Sequence, residues 1–248
     1  MSIEQRHIDS AFDEDLDRLL GQLMTMGGLV ESSIRDSSEA LFLKDIELVD
    51  QTIRSDARID AIEEEIQLAA VNLIALRQPR ASDLRMVMAA MRISSILERV
   101  GDCSKNTAKR TTAILQSPLP GSAFSALERL ARATQVLVKD SLDAFIQTDE
   151  HKAGDVIRRD HEIDQMHNSI FRQYLALMEQ NPKVTTPLMH LLFIAKNFER
   201  IGDHATGIAE QSIYLKTGSL PDGERKKDDS TAFLTGPATP AENGIRKD

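Results

Sequence analysis

Apolar residues recur every three or four positions along most of the chain. Ile59, Ile62, Ile66, Ala69, Leu73 and Leu76 form one such run, the period of a helix that buries one face. No Gly or Pro interrupts 29–78, and the pattern predicts three helices in the first half, at about 9–43, 46–78 and 82–116. Asp45 is placed to cap the second helix and Ser82 the third. Pro79 ends the second, because the residue before a proline is pushed out of the α region. Ser117-Pro118-Leu119-Pro120-Gly121 is a turn-rich break, after which Ser125 and Glu128 have the spacing of a capping box. Three more helices are expected at about 123–147, 150–180 and 187–216, the last entered through Thr186-Pro187 and closed by Gly218.

An internal repeat organises these helices. Glu98-Arg99-Val100-Gly101-Asp102 returns 101 residues later as Glu199-Arg200-Ile201-Gly202-Asp203. Asp56-Ala57-Arg58-Ile59-Asp60 returns 104 residues later as Asp160-His161-Glu162-Ile163-Asp164. At this second offset Asp36 also pairs with Asp140, Asp45 with Asp149, Ile53 with Ile157 and Arg54 with Arg158. The reading is an all-α chain of two homologous three-helix bundles, 1–117 and 122–217, followed by a disordered tail, 218–248. The tail holds four of the 12 Gly and three of the eight Pro. The three-residue difference between the offsets predicts a shorter connection between the second and third helices of the second unit.

Composition narrows the function. The 248 residues are 41% hydrophobic and 28% charged, but only 4% aromatic, without Trp. That is enough apolar material for a core and little for strands. A net charge of −9 repels a phosphate backbone, so nucleic acid is not an expected partner. A single cysteine, Cys103, forms no intrachain disulfide, and the acidic N-terminus lacks the order of a secretory signal, which points to the cytoplasm. No apolar run approaches the roughly 18 residues of a membrane span, leaving only peripheral membrane contact through partners.

The acidic motifs carry the candidate chemistry. Carboxylates at i and i+4 lie about 40° apart around a helix and about 6 Å apart along it, on one edge. Asp56 with Asp60 and Glu98 with Asp102 supply two such edges in the first unit; Asp160 with Asp164 and Glu199 with Asp203 supply two in the second. Antiparallel packing of neighbouring helices would gather four mutually repelling carboxylates, a donor set that a hard cation stabilises. The bland alternative is a solvated face paired with Arg58, Arg99 and Arg200, but four pairs recurring in two units favour metal. Gly101 and Gly202 fit a close approach. Five of the six histidines fall in the second half, and His167 follows Asp164 on one face where the first unit has Glu63. A nitrogen ligand there would shift the site toward Zn or Fe; His161 and His204 are lesser candidates. Cys103 reads as buried filler. Neither a phosphate-binding Gly-rich loop nor a nucleophile elbow occurs, so no catalytic residue and no organic cofactor site are assigned.

The doubled Glu-Arg-(Val/Ile)-Gly-Asp motif, the segment Arg77-Gln78-Pro79-Arg80-Ala81-Ser82-Asp83-Leu84-Arg85, the Met26-Gly27 step and the ending Tyr214-Leu215-Lys216-Thr217-Gly218 together resemble the PhoU proteins of bacterial phosphate regulation, over about residues 7–217. The resemblance implies a cytoplasmic, often dimeric regulator without enzymatic turnover. Such a regulator links the ATPase subunit of the phosphate ABC transporter to a phosphate-sensing histidine kinase, and represses the starvation response when phosphate is plentiful. It also implies surface clusters of divalent or trivalent metal (Fe, Zn, Mn or Mg) on the eight acids named above. Gly207 departs from the family's Asn, present here at the equivalent Asn106. The rival class is a carboxylate-bridged metalloenzyme, a phosphatase or an oxidase; the ferritin-like version carries a pair of Glu-x-x-His motifs, and this chain does not carry two.

Overall fold

The computed structural model describes residues 3–117 and 119–221, with side chains from 11 onward. It contains α1 (Ile3–Leu43), α2 (Ile46–Arg77), α3 (Ser82–Ile114), α4 (Ser122–Gln147), α5 (Glu150–Gln180) and α6 (Thr185–Thr217), with a 3₁₀ turn at Pro182–Val184. No strand occurs among the described residues. The tail expected to be disordered lies outside them from 222 onward.

Local chemistry sets the helix ends, and the two units repeat it. The Asp45 carboxylate accepts from the N–H groups of Glu47 and Leu48 at 2.9 and 3.2 Å. Asp149 does the same for His151 and Lys152 at 2.9 and 3.1 Å, leaving fewer orphan donors in each first turn. The amides of Lys152 and His151 hold the Asp149 carboxyl below its ordinary range. Gly218 closes α6 at φ 77°, its N–H donating to the Tyr214 carbonyl at 2.8 Å, the left-handed stop that glycine supplies without strain.

Three expected caps are displaced. Ala81 rather than Ser82 precedes α3, at φ 49° and ψ −112° with no side-chain cap, while the Ser82 hydroxyl meets Asp83. Ser125 lies inside α4, which starts a turn earlier, and its hydroxyl donates back to the Ser122 carbonyl at 3.4 Å. Pro187 sits within the first turn of α6, which has already begun at Thr185, where a missing N–H costs no hydrogen bond. The shorter second connection is not seen either. Residues 78–81 and 181–184 each join their helices with four residues. By the repeat offsets, α5 ends one residue earlier than α2 and α6 starts two later than α3, so the helix ends absorb the deletion.

Each unit is a three-helix bundle, and the units share a large apolar core that draws on all six helices, beside a small separate cluster of Ala40, Val49 and Ala108 in the first unit. α3 and α6 lie at the centre, side by side and antiparallel: Ile96 packs against Gly207, Asn197 donates to Thr107 Oγ1 at 3.2 Å, and Arg110 stacks on Phe193. A second contact joins α1 to α4, where Gln135 donates to Ser38 Oγ at 2.9 Å and Leu142 packs on Gly27. No helix among the described residues is long and apolar enough to cross a membrane.

Candidate functional site

The two glycines of the repeated motif show how the acidic edges come together. A Cβ on Gly101 would lie 3.1 Å from Ile59 Cδ1 and 3.6 Å from Asp56 Oδ1; on Gly202 it would lie 2.8 Å from Asp160 Oδ1 and 3.1 Å from Ile163 Cγ2. Both glycines therefore let the third helix of a unit close onto the second at the same repeated Asp and Ile. The backbones that carry the two edges are in close contact within each unit.

In the first unit, Asp56 is buried, Glu98 and Asp102 are half-buried, and Asp60 is exposed. The Lys105 ammonium sits between two of them, in contact with Asp56 Oδ2 and 2.7 Å from Asp102 Oδ1. Burial pulls the Lys105 pKa down, but its hydrogen bonds to Asp102 and Asp56 outweigh this and hold it above its usual range. The carboxyls farther from the ammonium go the other way. Burial, then the Asp56 charge, raises Asp60; burial, then Asp102 and Asp60, raises Glu98. Residual like-charge repulsion thus concentrates at the outer edge, beside a cavity of about 370 Å³ lined by Asp60, Glu63, Glu64, Ser95, Glu98 and Arg99. Glu63 is tied down there, accepting from Ser95 Oγ at 2.9 Å and Gln67 Nε2 at 3.0 Å.

The second unit is drier. Asp160, Asp164, His167 and Glu199 are all buried, Asp203 is half-buried, and Lys196 donates to Glu199 Oε1 at 2.9 Å. His167 occupies the counterpart of Glu63, as the offset predicts. His204 is half-buried, whereas His161 is exposed and meets Gln165 at 2.9 Å. Arg58, Arg99 and Arg200, the expected partners of a solvated acidic face, make no ion pair with the acids among the described residues, though the Arg99 charge acts on Glu98; Lys105 pairs with Asp56 and Asp102, and Lys196 with Glu199.

As metal sites, the clusters offer oxygen donors whose chemistry suits a hard cation. Their side chains as placed do not enclose one: among the described residues no three His, Cys, Asp or Glu side chains converge as a ligand set. In the first unit the Lys105 ammonium already pairs with two of the four carboxylates, Asp56 and Asp102. Sequence spacing missed both lysines because they come from opposite sides of the motif. Lys105 lies three residues after Asp102, and its repeat counterpart is Thr206; Lys196 lies three before Glu199, and its counterpart is Ser95. Cys103 is buried filler, as read, and burial pushes its thiol up to about 11.

Comparison with known proteins agrees with the two-unit helical fold. The PhoU domain model matches twice, at residues 23–111 and 127–212, one match per unit. A phosphate-specific transport system accessory protein PhoU homolog of Rhizobium meliloti is 47% identical over 92% of this chain and 96% of its own. Its namesake in Zymomonas mobilis is 43% identical over 90% and 94%. Among solved structures, PhoU from Pseudomonas aeruginosa superposes with a TM-score of 0.81 at 31% identity, covering 84% of this chain and all of that one. The phosphate transport system regulatory protein PhoU from Streptococcus pneumoniae gives 0.79 at 29%, covering 86% of this chain. With the family model on both helical units and close relatives spanning nearly the whole chain, this protein belongs to the PhoU family, a family of regulatory accessory proteins of phosphate transport.

Proposed function

We propose that this protein is a cytoplasmic, homodimeric adaptor that links the ATPase subunit of the phosphate ABC transporter to a phosphate-sensing histidine kinase, and that holds the starvation response off when phosphate is plentiful. The observation behind this reading is that relatives matching 92% and 90% of the chain carry the name of accessory proteins of the phosphate-specific transport system. Two homologous units on one shared core suit bridging. When one partner is held, the other binds at raised effective concentration, so neither contact has to be strong. Deleting the gene should leave starvation genes expressed in phosphate-rich medium, and normal repression in the deletion strain would refute the reading.

Metal binding belongs to the same proposal. Asp56, Asp60, Glu98 and Asp102, and Asp160, Asp164, Glu199 and Asp203, are the groups that would hold Fe, Zn, Mn or Mg, and Lys105 would have to leave the first cluster to admit an ion. Elemental analysis of purified protein, against Asp102→Asn and Asp203→Asn, tests this; metal content unchanged by both substitutions would sink it. The burial of Asp160, Asp164, His167 and Glu199 is the observation that favours a second reading, a carboxylate-bridged metalloenzyme. Phosphoester turnover by the metal-loaded protein, abolished by Glu199→Gln, would move the weight there.

A further inference from the structure

The outward ridge shared by α3 and α6 carries a charge opposite to that of the whole chain. On α3, Met88, Arg92, Arg99 and Asn106 are exposed and Arg110 is half-buried. Their spacings of four and seven residues keep them within about 40° of one line. On α6, Met189, Phe193 and Arg200 are exposed at the corresponding positions. The two lines run side by side: the Arg110 guanidinium lies 4.1 Å above the centre of the Phe193 ring, and the Arg200 charge reaches the Cys103 thiol on α3. Arg92, Arg99, Arg110 and Arg200 form no ion pair among the described residues, although the chain carries a net charge of −9. Of the nearby acids, Asp102 holds Lys105 and Glu199 holds Lys196, while Glu98 faces Arg99 at the rim of the acidic cavity, so Arg99 has a carboxylate close by.

We propose that this ridge is the docking surface for an acidic segment of a protein partner, one that sets carboxylates against Arg92, Arg99, Arg110 and Arg200 and an apolar side chain against Met189 and Phe193. The composition fits a protein contact. Arginine binds carboxylates in a two-pronged, planar geometry and is less strongly hydrated than lysine, and Arg, Met and aromatic residues are the types enriched at interfaces. From Arg92 to Arg110 the ridge is roughly 27 Å long at about 1.5 Å per residue, which matches about five turns of an acidic helix. A second copy laid ridge on ridge would oppose arginine to arginine, so charge argues against self-association through this face.

The inference rests on the adaptor reading for the partner's identity. The test uses the full-length protein against two purified probes, the transporter ATPase subunit and the cytoplasmic part of the histidine kinase, by interferometry at low and moderate salt. The wild type should bind at least one probe in a salt-sensitive manner. Arg99→Glu with Arg200→Glu should weaken that binding at least tenfold, while Arg54→Glu with Arg129→Glu, an equal charge change elsewhere, should stay within twofold. Melting temperature confirms that each variant is folded. If both double variants bind alike, the ridge is not the docking surface and the adaptor reading stands. If the wild type binds neither probe, the adaptor reading fails and the assignment of this ridge fails with it. Binding of the wild type to phosphatidylglycerol vesicles, lost in Arg99→Glu with Arg200→Glu, would make the ridge a lipid surface and overturn the proposal.

Discussion

Alanine at the two motif glycines should have unequal effects. In mid-helix, Gly→Ala gains about 1 kcal/mol of intrinsic helix stability, and it does so equally in α3 and α6. What differs is the space. At Gly101 the nearest atom to a new Cβ is Ile59 Cδ1 at 3.1 Å, the far end of a side chain that can turn aside by a few tenths of an ångström. At Gly202 the Cβ would fall 2.8 Å from Asp160 Oδ1 and 3.1 Å from Ile163 Cγ2. Asp160 is only 8% exposed, and the β-branched Ile163 is stiff at χ1. Overpacking of this kind costs about 1–3 kcal/mol. Gly101→Ala is therefore expected to be neutral or stabilising, and Gly202→Ala to be less stable than it by about 1–2 kcal/mol. Urea unfolding reads the difference as a shift in midpoint at unchanged slope, and melting temperature as a gap of about 2–8 °C for a chain of this size. Adding Asp160→Ala should lower the cost of Gly202→Ala, a coupling of at least about 0.5 kcal/mol in a double-mutant cycle. Equal effects at the two glycines, or additive behaviour with Asp160→Ala, would refute the packing argument.

Ala81→Gly should stabilise the protein by about 1 kcal/mol, since φ 49° with ψ −112° strains alanine but not glycine; urea unfolding checks it. Lys105→Met should destabilise by about 2 kcal/mol in metal-free buffer, because it leaves the buried Asp56 carboxylate beside Asp102 without its cation; an unchanged midpoint would contradict this. Asp149, whose carboxyl titrates below its usual 3.8, contributes stability that is present above that value and lost as pH falls through its lower folded value. Asp149→Ala should thus flatten the acid limb of a stability-versus-pH curve and lower stability at neutral pH. Cys103, at about 11, should resist a thiol reagent near neutral pH in the folded protein and react once the protein is unfolded; rapid labelling of the folded protein would show the thiol to be accessible.

The features legible in the sequence are those fixed by local or repeated chemistry. Asp45 and Asp149 cap their helices, Gly218 stops the last one, and the two offsets pair Asp56 with Asp160 and Gly101 with Gly202, which the contacts at the two glycines reproduce. The failures have a common physical origin. Ser82, Ser125 and Thr186 are good caps in isolation, but packing onto a shared core starts α4 and α6 earlier and leaves Ala81 to make the turn into α3. The acidic edges were visible because carboxylate spacing maps directly onto a helix face. Their counter-ions were not, because Lys105 and Lys196 are single residues in non-equivalent positions that the repeat does not mark.

Gly207 shows why a departure from the repeat belongs to packing rather than to the site. The central contact is antiparallel, so α3 and α6 meet twice, once where Ile96 faces Gly207 and once where Asn197 faces Thr107, one residue along from Asn106, the repeat equivalent of Gly207. Repeat-equivalent positions need not carry the same residue so long as each meeting is complementary. At one, Asn197 donates to Thr107 Oγ1 at 3.2 Å, satisfying a polar pair inside the core. At the other, Ile96 fills the space and a Cβ on residue 207 would come within 3.2 Å of its Cδ1. An Asn at 207 would press its Cβ on Ile96 Cδ1 and make that side chain shift, whereas the equivalent Asn106 is exposed. Glycine at 207 is thus the counterpart of isoleucine at 96, and the two meetings have diverged as pairs: large against small at one, polar against polar at the other. The same logic applies to the acidic clusters, where a lysine follows the motif in one unit and precedes it in the other. Each unit keeps the shared backbone register while supplying its own partner to a conserved geometry, so the two halves of this protein are homologous in fold without being interchangeable in chemistry.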